Sequence, residues 1–121
     1  MPNDAGQAWR RTYIGVRSGA GPVVLVIDED RGVELLCNPC RPGKTAACEH
    51  EWGYGGSGPG QLAFSLVCDL VGQDIAATVY RKLKTSLVAT LPHEMWVLHE
   101  VDLWRAIYMI RPELRANWDE G

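Results

Sequence analysis

The segment Gly53-Tyr54-Gly55-Gly56-Ser57-Gly58-Pro59 constrains this chain more than any other. Glycine-dense backbone loses too much entropy to continue a helix or strand, so the chain must turn there. Directly after it, from Gln61 to Val71, polar residues fall only at Gln61, Ser65 and Asp69. That spacing of four predicts a helix with one narrow wet stripe and Leu62, Ala63, Phe64, Leu66, Val67, Cys68, Leu70 and Val71 around the rest. Such a helix belongs at the centre of a fold, covered on several sides. Ser57 is the expected N-cap, and Pro59 is tolerated because first-turn amides have no intrahelical acceptor.

The elements before the turn read as strands. In Arg11-Thr12-Tyr13-Ile14-Gly15-Val16-Arg17, Ile14 and Val16 alternate with Tyr13, Gly15 and Arg17, the period of a strand with one buried face. Val23 to Ile27 is continuously apolar and rich in β-branched residues, which predicts an inner strand covered on both sides. Asp28 to Gly32 is a turn, and Val33 to Leu36 returns as a short strand. Residues 37–47 hold prolines and a glycine and no regular element. Cys48 to Tyr54 reads as a further extended segment, with Cys48, His50, Trp52 and Tyr54 on one side and Glu49 and Glu51 on the other.

After the central helix, Gly72 is the stop. A second helix is expected from about Asp74 to Ala89 with Ile75, Val79, Leu83 and Leu87 inward, ended by Pro92. Met95 to Leu98 suits a short strand. A third helix is expected from about Glu100 to Ile110, closed by Pro112. The expectation is one α+β domain over residues 11–111, a small, mainly antiparallel β-meander packed on a central helix with two further helices. Residues 1–10 are expected to be flexible and 112–121 to form a tail.

With 121 residues the chain has length for one core. No run approaches a membrane span, and the first residues have no apolar segment of export type, so a cytoplasmic protein is expected. Thiols there stay reduced, which disfavours a disulfide framework for the 4 cysteines. The net charge of −3 gives no general attraction to nucleic acid.

Three groups of residues could carry chemistry. Open amides of Gly55, Gly56, Ser57 and Gly58 at a helix start, with Tyr54 and Arg81 as side-chain contacts, have the makings of an anion or nucleotide site. The Walker lysine is missing, and Gly53-x-Gly55-x-x-Gly58 lacks a βαβ setting. Cys37-x-x-Cys40 followed by Cys48-x-His50 supplies a thiolate and imidazole set suited to structural zinc, although no cofactor is required by the reading; loop thiols binding nothing are the alternative. Cys48 and His50 could also pair as nucleophile and base, but no third group orients them. Finally, Trp9, Trp96 and Trp118 lie in polar or terminal segments, where exposed tryptophan marks protein-binding surfaces or self-association.

The string Glu51-Trp52-Gly53-Tyr54-Gly55-Gly56-Ser57-Gly58-Pro59, followed by Leu62-Ala63, resembles the signature of an uncharacterised family of short bacterial and phage proteins. Leu91-Pro92, Trp96-x-Leu98 and Leu103-Trp104 are similar to that family's later part. The resemblance implies no activity. It implies an accessory role in phages or mobile elements, with a host defence protein as the partner. The expected function is therefore a non-catalytic protein that occupies a host or phage partner's surface, with homo-oligomerisation open. The alternatives are a small-molecule or nucleotide binder, or enzyme, using the glycine turn, and a nucleic-acid accessory protein.

Overall fold

The computed structural model describes residues 10–115. Strands β1 (Arg11–Ser18), β2 (Gly21–Asp28) and β3 (Gly32–Leu35) form the expected meander. Helices α1 (Ser57–Val71) and α2 (Gln73–Ser86) follow, then a 3-10 turn (Val88–Thr90), strand β4 (Met95–His99) and helix α3 (Glu100–Ile110). The strands make one antiparallel sheet in the order β3-β2-β1-β4, so β4 returns across the helices to pair with β1. The fold is α+β, as expected. Within the described residues no helix is long and apolar enough to cross a membrane.

The sheet buries the face opposite to the one its aliphatic residues suggest. Tyr13 and Gly15 on β1, Val24 and Val26 on β2, and Trp96 and Leu98 on β4 share the inner face under the helices. Ile14 and Val16 point outward. Gly15 explains the choice: a Cβ there would sit within the indole of Trp96, so its absence lets the ring lie flat in the core. Strand β2 is consequently covered on one side only, which corrects the expectation of cover on both.

Helix α1 is central. Leu62, Ala63, Leu66 and Val67 are fully buried. Its polar stripe is not wet: Gln61 and Ser65 are also fully buried, because the loop after β3 lies over them. Its C-terminal end is tied to the sheet by Arg11, which donates to the Asp69 carbonyl (2.6 Å), the Asp69 carboxylate (2.9 Å) and Asp28 (3.1 Å). Tyr13 donates to the same Asp69 carboxylate at 2.8 Å. Burial, then the Asp69 charge, hold the Tyr13 phenol well above its usual pKa. Helix α3 has a reciprocal cap in which the His99 amide donates to Asp102 (2.9 Å), and Glu100 Oε1 accepts both the Arg10 and Arg11 amides.

Candidate functional site

The glycine turn is held from beneath by tryptophan. Trp52 is fully buried, donates its indole N–H to the His93 carbonyl at 2.9 Å, and meets Trp96 edge-on with centroids 5.5 Å apart. Arg17 lies 4.6 Å above the Trp52 ring and grips Glu51 through both terminal nitrogens. That grip keeps the Glu51 carboxyl below its usual pKa. Gly53 takes φ 87°, and its amide donates to the Val88 carbonyl. The expected strand over Cys48 to Tyr54 does not form; Trp52 is buried while Tyr54 is half exposed, so the two do not share a face. Trp96, expected at an interaction surface, is 4% exposed and belongs to the core. Trp9 and Trp118 lie outside the described residues.

The turn delivers the chain into α1 as expected, with one change of register. Gly56 is the N-cap and Ser57 the first helical residue, so the Ser57 hydroxyl caps no amide. It accepts instead from Arg41 Nη2 at 3.0 Å. The Gly56 carbonyl opens the helix by accepting the Gly60 amide at 3.1 Å. Gly58 is needed for packing, since a Cβ would fall 2.7 Å from Glu51 Cβ. Arg81 is exposed and stacks over the ring of its neighbour Tyr80. Lys84, one turn further, brings the aliphatic stem of its side chain against the first turn of α1.

The cysteine-rich segment does not converge on a common point. Cys37 and Cys40 are exposed. The Cys48 thiol lies 3.4 Å from the Ser57 carbonyl and 3.6 Å from Arg41 Nη2. His50 turns its Nε2 to the Ser65 hydroxyl at 2.9 Å. Among the described residues no group of three His, Cys, Asp or Glu side chains is placed to hold a metal, so these donors do not fit the zinc reading. The segment serves α1 instead: Asn38 Oδ1 accepts from Gln61 (2.8 Å) and Ser65 (3.4 Å). Burial lowers the His50 pKa to about 4, keeping the ring neutral at physiological pH. Nor does the His50–Ser65 contact form a nucleophile–base pair open to substrate, because Ser65 is fully enclosed. Cys37 and Cys68 line one cleft of about 430 Å³ with Arg11, Asp28 and Asp69, and burial lifts the Cys68 thiol to about 11, away from nucleophilic character.

The outer face of the sheet is the largest feature that sequence reading missed. Register places Met95, Val16 and Val23 in one row, Val97, Ile14, Leu25 and Leu35 in the next, and Ile27 beside Val33 in a third. No described element covers these rows: Leu35 is 70% exposed, Val33 62%, Met95 52% and Val97 43%. Among the described strand residues only Thr12, Ser18 and His99 bring polarity to the same face, all at its margins. The rows adjoin, so these exposed aliphatic residues form one contiguous surface rather than scattered single side chains.

A family model described as a family of unknown function, DUF6166, matches residues 13–109. No curated protein and no solved structure gives a significant match.

Proposed function

We propose, from the premise that the chain belongs to the DUF6166 family, that it is a non-catalytic binding protein docking on a partner protein through the outer face of its sheet. The observation that carries this reading is the aliphatic surface of Val33, Leu35, Met95 and Val97, covered by no described element while α1, α2 and α3 all lie on the other side. A face of this kind exposed to water carries a standing hydrophobic penalty that docking removes, at about 25 cal/mol per Å² before association costs. Charged residues are missing from its centre, the pattern of an interface core. In the setting that the sequence resemblance implies, the partner is a host defence protein and the chain a phage or mobile-element accessory that covers its surface.

The test replaces Leu35 and Val97 together with glutamate. Both are exposed, so far-ultraviolet circular dichroism and the unfolding midpoint should stay close to those of the unmodified protein. Affinity capture from bacterial lysate is then compared for the two proteins, with sedimentation velocity reporting self-association. A stoichiometric partner, lost in the double variant, supports the reading. A partner retained by the variant, or capture of none, overturns it.

A further inference from the structure

We infer that the first turn of α1, with Arg41 and Lys84 beside it, is a binding site for a phosphate-class oxyanion, separate from the sheet face. Arg41 is 9% exposed, yet among the described residues its guanidinium has no carboxylate partner. Among the described residues its Nη2 reaches the Ser57 hydroxyl and, at 3.6 Å, the Cys48 sulfur. Its Nε is buried with no hydrogen-bond partner among the described residues. A buried cation without a counter-charge is strongly unfavourable in a protein interior.

The location makes the imbalance larger. A Cβ at Gly60 would lie 2.8 Å from Arg41 Nη1 and 3.6 Å from Lys84 Cδ, so the Arg41 guanidinium and the aliphatic stem of Lys84 flank one point of the first turn. Lys84, half-buried, makes no ion pair among the described residues. The N-terminal end of a helix is itself positive and normally gathers acids, but α1 has none in its first turn. Of the two glutamates on the segment beside this turn, Glu51 is held by Arg17, while Glu49 sets its carbonyl against Gly58 and lines a groove with His50 and Leu36. The Arg41 guanidinium, the stem of Lys84 and the positive end of a helix therefore meet with no anion paired to either side chain among the described residues.

The missing charge has a defined chemistry. Among the described residues Arg41 Nη1 makes no hydrogen bond and remains a planar donor, Lys84 brings its side chain past the same turn, and the Ser57 and Gly58 amides precede the first intrahelical bond. Several donors around a doubly negative centre suit a tetrahedral phosphate better than a single carboxylate. Gly60 matters because any side chain there would push Arg41 out of place.

The test is nitrogen–proton NMR of the intact protein titrated with inorganic phosphate, against sodium chloride at matched ionic strength. Saturable shifts of the Gly58 and Gly60 amides and the Arg41 Nε–H, half complete below about 10 mM, are expected. Lys84→Ala, at a half-exposed position, keeps the fold and should weaken binding about fivefold or more. Arg41→Met removes a buried side chain and is scored only alongside its unfolding midpoint. A second titration with adenosine monophosphate identifies the source: tighter binding than phosphate supports a nucleotide-borne group, and equal binding supports free phosphate. Shifts that chloride reproduces, no saturation, or an unchanged affinity in Lys84→Ala would overturn the site.

Discussion

Gly15→Ala tests the reason for the sheet's orientation. Strand propensity alone favours alanine by roughly 0.5–1 kcal/mol. The added methyl, however, collides with the indole of Trp96, which is 4% exposed. Expelling that ring completely would return about 200 Å² of apolar surface to water, worth about 5 kcal/mol, and would lose the edge-on contact with Trp52. Partial displacement recovers some of this, so the net cost should be about 3 kcal/mol. Urea unfolding followed by tryptophan fluorescence should show the midpoint falling by about 1.5 M with an unchanged slope. In a Trp96→Ala background the clash disappears, and Gly15→Ala should become neutral or stabilising. A cost under about 1 kcal/mol in the unmodified background, or the same cost in both, would refute the argument.

Further predictions concern the two polar networks. Asp69→Ala removes the acceptor shared by Arg11 and Tyr13 and should cost about 3 kcal/mol, whereas Asp69→Asn, which keeps an acceptor oxygen, should cost less; urea midpoints rank the two. His50 has a folded pKa of about 4 against 6.5 for the free side chain, so the unfolded chain takes up the proton first as pH falls. Its contribution is complete above pH 6.5 and lost between there and about pH 4, by up to about 3 kcal/mol. Unfolding midpoints measured from pH 7.5 to 4 should therefore fall less steeply in His50→Gln than in the unmodified protein.

The order of elements was legible because their ends carry strong local signals. Pro112 and the spacing of Leu103 and Ile107 mark α3, and the glycine turn marks the entrance to α1. Which face of a strand is buried was not legible. On β1 both faces look apolar, and the decisive fact, Gly15 under Trp96, joins residues far apart in sequence. The stripe of Gln61 and Ser65 misled for a related reason: four-residue spacing marks a polar face, and only Asn38 and His50 folding onto it make that face dry. Ser57 has the chemistry of an N-cap, but the helix begins one residue too early for it to act as one. The convergence of Arg41 with Lys84 had no local signal at all, since it depends on a loop and on the end of α2.

The open sheet is the claim on which the binding account stands, and methyl cross-saturation in a complex with the captured partner tests it most directly. Saturation transferred to Val33, Leu35, Met95 and Val97, fading toward the helices, is the predicted map. Transfer centred on α2 or α3, with those four methyl-bearing residues untouched, would contradict it.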